Sequence, residues 1–569
     1  MHMVKKIDIK AVGIIAFFVL FYFIHNFVWL QKTADFPLND FLHYNEMTQW
    51  YDSIKQGRIP FLNEQLSYVN HYVPLYFFLP VICRLFFETG YHFNIMFNII
   101  YFALLLICLY FFTKKMYGKT TALLAVSLVS LYPGIYCTSR FFYIEFGLLW
   151  IVVFSIYMLI QSDYFSNRKY SILSGIAVGI GLMIKATYTL FIFPLFFYFL
   201  IMSLWRAIRD KEKEIFFNII ICNCIWCAIA GWKYFRLHAL RQYFMNYVIE
   251  GGGSIFDYAG YLHNVLLQPS FLIVFLISVV WFLVYERKER KIIFLLLLLP
   301  AFLYHSLMLH LKMSRYILPL LPTIAVVSAW WLNSIKWKKI KWGICGILIL
   351  YGFIQYYVTS FHCFTPLIEK GFITPAYKCD ANEFMPKDNL YDKIVTSLNN
   401  CNIAYKEDFT FLLLPVVKEI DSRNDELSYM TDEGTFFIWY NILLLKKVPF
   451  NMIQIYEGLR YDMSLRCMQD NFTKSDGILY IGYSDLKKGN NFETYLNFLM
   501  EKTNEILLAV INDHRVLVDP KMEQEIQSVR RGIKTLRSSI ENSFPSFKLI
   551  ETVTIVPDDK PINLYIYKR

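Results

Sequence analysis

Eleven long apolar blocks constrain this chain more than any other feature, near 11–31, 93–113, 120–138, 142–161, 170–186, 188–205, 216–235, 268–285, 291–311, 315–333 and 342–360. About 20 apolar residues carry a helix across a hydrocarbon core. Lipid offers the backbone no hydrogen-bond partners, so each crossing segment must satisfy its own N–H and C=O groups as a helix. The blocks predict a polytopic α-helical membrane protein with eleven transmembrane helices. Composition agrees: 56% hydrophobic and 18% charged over 569 residues excludes an ordinary soluble domain.

Charge fixes the expected topology, because short cytoplasmic loops hold an excess of Lys and Arg. With Lys5, Lys6 and Lys10 placed in the cytoplasm, every second loop is basic. The groups are Lys114, Lys115 and Lys119; Arg168 and Lys169; Arg206, Arg209, Lys211 and Lys213; Arg287, Lys288, Arg290 and Lys291; and Lys336, Lys338, Lys339 and Lys341. Counting the apolar run 73–87 as a crossing would invert all that follows, so it reads as a helix in the outer interface. No small-residue cleavage site precedes "QKTADF", and the first block reads as a retained signal anchor. An odd number of spans then puts the N-terminus in the cytoplasm and the C-terminus outside. Net charge of +11 reports these loops and anionic headgroups, and no nucleic-acid partner is expected.

Beyond Phe361 charged residues become common and apolar runs shorten. "FTFLLLP", "GILYIGY", "EILLAVI", "RVLVDP", "TVTIV" and "INLYIYK" read as strands, with helical stretches from Phe492 and Lys521 between them. The expected organisation is a membrane module over 1–361, whose first outer loop spans 32–92, and an extracytoplasmic mixed α/β domain over 362–569. Most of the eleven cysteines fall in apolar segments, where a thiol acts as a small hydrophobe; Cys363, Cys379, Cys401 and Cys467 lie outside, compatible with up to two bridges or with free thiols.

Polar residues at membrane depth are expensive and mark function. Here they gather at the outer ends of the spans. The stretch "NDFLHYNEMTQWYDSIKQG" from Asn39 carries Asp40, Tyr44, Met47 and Tyr51 at helical spacing, predicting a short interfacial helix with Asp40 at its start. Asp40 serves there either as an N-cap or as a chemical group. Further along come "NHYVPLYFFLP", "SRFFYIEFGLLW", "LSGIAVGIGLMIKATYTL" and "LKMSRYILPLLP". In order, these segments resemble the GT-C superfamily of polyprenyl-phosphate-sugar glycosyltransferases, in the branch of protein O-mannosyltransferases and the lipid A aminoarabinose transferase. The resemblance covers roughly residues 10 to 335.

That resemblance implies a catalytic Asp in the first outer loop, followed by Tyr and Gly, matched by Asp40, Tyr44 and Gly57. It implies a basic residue before a Pro-Leu-Tyr run, where Pro74, Leu75 and Tyr76 match, Tyr72 stands in the basic position and His71 is one place off. A second acid at the outer end of the third span matches Glu145, with Arg140 before it; Lys185 ends the Gly-Leu run, and Arg315 with Tyr316 match an Arg-Tyr motif. Snorkelling is the alternative for Lys185 and Arg315, and an ion pair with Arg140 the alternative for Glu145.

The implied reaction needs those residue types. A sugar on a lipid phosphate is already activated: one base removes the acceptor proton, and cations stabilise the departing phosphate. Asp40 supplies the base, Glu145 the second carboxylate, and Arg140, Lys185 and Arg315 the cations, with His71 available beside them. Tyr44, Tyr51, Tyr76 and Tyr316 present ring faces and hydroxyls to a pyranose. The expected partners are a polyprenyl-phosphate-sugar donor and a glycan, lipid or protein acceptor. No cofactor is required, although a divalent cation held by Asp40 and Glu145 is compatible with the resemblance. A surface-polysaccharide ligase or polymerase would use the same donor, with its Arg and His in a large late loop, where Arg236, His238 and Arg241 stand. A transporter would place ionisable groups at mid-span.

Overall fold

The computed structural model describes residues 8–32, 43, 47, 50–51, 54–55, 57, 75–87, 91–231, 256–307, 314–361 and 363, and the seven strands given below. The chain divides into two compact units, a larger one holding the helices and a smaller one holding the strands.

The helical unit comprises α1 Ile9–Lys32, α2 Leu75–Phe86, α3 Asn98–Tyr117, α4 Lys119–Leu131, α5 Pro133–Thr138, α6 Ile144–Gln161, α7 Arg168–Ile184 and α8 Tyr188–Asp210. It continues with α9 Lys213–Trp226, α10 Gln268–Tyr285, α11 Lys288–Leu307, α12 Leu321–Ser334 and α13 Lys338–Phe361, plus short turns. Among the described residues, nine helices are long and apolar enough to cross a membrane. The eleven expected blocks are helical over their described residues, but two helices stop short of the length of a crossing. Helix α4 has 13 residues, because Pro133 starts a new helix and holds Tyr132 extended at φ −68°, ψ 128°. Helix α7 has 17 residues and ends where Lys185 turns extended at φ −158°, ψ 137°. The run at 73–87 is the twelve-residue α2, with Pro80 inside it.

Helices α3, α4, α6 and α12 form the interior, α6 packing on α3 and α7, and α4 on α3 and α12. Helix α1 lies at the rim and exposes Phe17, Leu20, Phe23 and Phe27, as a lipid-facing stripe must. Tyr22 is buried; its hydroxyl donates to the Ser130 carbonyl at 2.6 Å and its ring stacks on Phe102.

In the smaller unit, β1 Phe409–Asp421, β2 Leu427–Thr431, β3 Asn451–Gln454, β4 Gly477–Tyr480, β5 Glu505–Ile511, β6 Lys548–Thr554 and β7 Asn563–Lys568 form one sheet, in the order β3-β4-β1-β5-β7-β6 with β2 on β1. β1 runs parallel to β4 and β5, and β7 antiparallel to β5 and β6. Five of the six short runs read as strands contribute to it. "RVLVDP" and the helical stretches from Phe492 and Lys521 lie outside the described residues.

Candidate functional site

An ion cluster forms where three chain segments end together. Glu145 sits in the first turn of α6, where a carboxylate meets the positive end of the helix. Lys185 is the residue on which α7 stops, and Arg315 belongs to the tight 3₁₀ turn Ser314–Leu320 that leads into α12. Oε1 of Glu145 lies 2.7 Å from Lys185 Nζ and 3.2 Å from Arg315 Nε. All three residues are buried, with side-chain exposures of 2%, 9% and 9%. Both cationic heads turn inward to the carboxylate, which is the opposite of snorkelling. Oε2 of Glu145 is buried and has no hydrogen-bond partner among the described residues.

Aromatic faces line the cluster. Arg315 lies over the ring of Tyr143 at 4.7 Å and over Tyr316 at 5.6 Å, and Lys185 Nζ lies over Tyr316 at 5.1 Å. Such contacts strengthen when water is excluded. The loop that delivers Tyr143 and Glu145 is anchored from behind: the Asn98 amide donates to the carbonyls of Phe141 at 2.6 Å and Ser139 at 3.2 Å, and Asn98 accepts from the Tyr76 hydroxyl at 2.9 Å. The Tyr76 ring presses on Gly147, where any Cβ would come within 2.5 Å of it. Tyr76 thus supports α6 from the side.

His43 completes the cluster and was not singled out from the sequence. It is buried, lies against Phe77, and is coupled electrostatically to Glu145, Arg315 and Lys185. Burial pushes its imidazole down to about 3; Glu145 opposes that, and Arg315 and Lys185 reinforce it, so His43 is neutral at ordinary pH. The signal was the helical stripe of His43, Met47 and Trp50, all buried. It shares Met47 with the expected stripe through Asp40, Tyr44, Met47 and Tyr51, and takes His43 and Trp50 where that stripe has Tyr44 and Tyr51.

The remaining expected residues divide. Asp40, Tyr44 and His71 lie outside the described residues. Tyr51 stands under the Arg84 guanidinium at 4.5 Å. Arg140 does not pair with Glu145. It is buried, donates to Asn26 at 3.3 Å and Ser360 at 2.6 Å, and lies between 5.1 and 5.6 Å from the ring centroids of Trp29, Tyr136 and Tyr356. Among the described residues no group of three His, Cys, Asp or Glu side chains is placed to hold a metal ion. Cys363 is a free thiol, and Cys137, in α5, is disulfide-bonded.

A buried carboxylate holding two cations beside aromatic rings, inside a unit of long apolar helices, marks a membrane protein with a costly charged centre of the kind that carries function. Residues 73–232 match the family model described as dolichyl-phosphate-mannose-protein mannosyltransferase, a segment that contains Tyr76, Arg140, Glu145 and Lys185. Among solved structures, the chain is similar to ArnT from Cupriavidus metallidurans in the apo state, with a TM-score of 0.57 at 10% identity over 98% of each chain. It is also similar to the same protein bound to undecaprenyl phosphate, with a TM-score of 0.54 at 11% identity over 97% of this chain and 98% of that one. No curated protein sequence matches. The matched family model is of the kind that the sequence motifs resemble, and the fold is similar to that of ArnT.

Proposed function

We propose that this protein is a membrane glycosyltransferase that moves a sugar from a polyprenyl-phosphate donor to an acceptor hydroxyl at the outer membrane face. The observation that carries this reading is the buried Glu145–Lys185–Arg315 cluster, set in a fold shared with a protein that binds undecaprenyl phosphate. In the proposed reaction the acceptor oxygen attacks the anomeric carbon, and the bond from that carbon to the phosphate oxygen breaks. The acceptor proton passes to Asp40, and the configuration inverts. Arg315 and Lys185 take up the charge that develops on the departing lipid phosphate, Arg315 with a fork of donors and Lys185 as a point charge. Glu145 holds the two cations in place before the ligand arrives, so little reorganisation accompanies the reaction. The alternation of basic loops supports an outward-facing site with the N-terminus in the cytoplasm, and the acceptor is a glycan, lipid or protein.

Binding of undecaprenyl phosphate to the purified protein in detergent tests the phosphate site. Arg315→Ala should weaken binding about tenfold or more, and Arg315→Lys by less, because Lys keeps the charge and loses the fork. Equal affinity in the parent and both variants would remove Arg315 from the site.

A further inference from the structure

Histidine 305 is a buried side chain next to the cluster that the reaction above does not use. It lies in the last turn of α11 with 0% exposure. Its Nδ1 is 2.7 Å from the carbonyl of Ala301, one turn back on the same helix, so that nitrogen carries the proton and Nε2 is left with a lone pair. Nε2 is buried and has no hydrogen-bond partner among the described residues. The ring is surrounded by other rings: Phe191 at 5.7 Å, Tyr304 at 5.9 Å, Tyr316 at 6.2 Å and Tyr258 at 6.3 Å between centroids. Tyr316 is the ring over which Lys185 and Arg315 lie. His305 is therefore one ring away from the ion cluster, with an acceptor directed away from its own helix.

A buried acceptor without a donor costs stability, about 1–3 kcal/mol for a neutral group. Phenylalanine would fill the same aromatic nest without that cost. The placement of an imidazole there, with its tautomer fixed by the Ala301 carbonyl, is explained if a ligand brings the missing donor. The donor must arrive beside the phosphate-binding cations, within a wall of aromatic rings. Sugar hydroxyls and amino groups meet that description, since a pyranose offers apolar faces to rings and O–H or N–H edges to acceptors.

We propose that His305 Nε2, together with Tyr316, forms the subsite for the sugar carried by the lipid phosphate, accepting a hydrogen bond from a sugar hydroxyl or amino group. This assignment rests on the proposed function, because it needs the phosphate at Lys185 and Arg315. It makes His305 a specificity determinant: a donor lacking the matching O–H or N–H leaves the lone pair unmet, and the site rejects it by the value of that hydrogen bond.

The test measures binding of bare undecaprenyl phosphate and of undecaprenyl phosphate bearing mannose, glucose, N-acetylglucosamine or aminoarabinose, using the full chain in detergent. The best-bound sugar lipid serves as the probe. His305→Phe keeps the ring nest and should melt at the parent temperature or above. It should bind bare undecaprenyl phosphate as the parent does and lose about tenfold in affinity for the sugar lipid, the scale of one neutral hydrogen bond. His305→Gln, which keeps an acceptor, should recover part of the loss. Arg315→Ala should weaken both lipids alike. If His305→Phe binds the sugar lipid as the parent does, or if no sugar lipid binds tighter than the bare one, the subsite is overturned while the phosphate site stands. If bare undecaprenyl phosphate does not bind the parent, the proposed function falls first.

Discussion

Replacing Glu145 with Gln asks how strongly the site depends on one carboxylate. The amide keeps the size of the side chain and removes its charge, leaving the Lys185 and Arg315 heads buried around a neutral oxygen. The carboxylate meets them at 2.7 Å and 3.2 Å with 2% of its side chain exposed. At an effective dielectric of about 20, each contact is worth on the order of 5 kcal/mol before desolvation is counted. Removing one member of a buried pair costs about 3–5 kcal/mol once desolvation is included, and sharing by two cations puts this case toward the upper end. In thermal unfolding of the purified protein, followed by tryptophan fluorescence, the midpoint should fall by roughly 3–7 °C, the shift per kcal/mol being small in a chain this long. The same change releases two cations to an anion. Saturating undecaprenyl phosphate, at about a hundred times its Kd, adds about 2.7 kcal/mol to any folded state that binds it. Because the carboxylate no longer competes for Lys185 and Arg315, that lipid should protect the variant more than the parent at equal concentration. A variant that melts within a degree of the parent and gains no extra protection would refute the reasoning. The three charges would then be neighbours without energetic coupling.

Two other substitutions probe the proposed base and the scaffold. Asp40→Asn should leave undecaprenyl phosphate binding intact and reduce sugar transfer by about a hundredfold or more, the usual scale for losing a general base; near-parent turnover would remove Asp40 from the chemistry. Gly147→Ala puts a methyl group 2.5 Å from the Tyr76 ring, which should destabilise the protein by about 1–3 kcal/mol in thermal unfolding, and an unchanged midpoint would show that the ring yields freely.

The sequence made the helices legible because bilayer thickness imposes a minimum apolar length, and each expected block is helical over its described residues. It hid the ends of two of them. An apolar count runs straight through Tyr132 and Pro133, whereas the proline imposes an extended residue before it and breaks α4. At the site, Lys185 and Arg315 were legible as charges at helix ends, but their partner was not. Arg140 is five residues from Glu145 in the chain, yet it faces Asn26, Ser360 and three aromatic rings. Glu145 reaches residues 40 and more positions away, and spacing along the chain carries no record of such contacts. His43 was obscured because the stripe drawn through Asp40, Tyr44, Met47 and Tyr51 meets the buried residues His43, Met47 and Trp50 only at Met47.

The two helices that stop short have a consequence for the packing around them. At 1.5 Å per residue, the 13 residues of α4 rise about 20 Å and the 17 of α7 about 25 Å, against a hydrocarbon core of about 30 Å. Both begin at a basic end, Lys119 and Arg168, and both finish toward the segments that carry Glu145 and Lys185. Longer helices pack against them, α3 and α12 on α4 and α6 on α7. Helix α4 is buried among its neighbours, so its shortfall is met within the protein and not by lipid. The segments that follow the two helices, Pro133–Thr138 with the turn to Glu145 and the extended Lys185, thus take up the length that a longer helix would fill, and they carry buried charge into the helical unit.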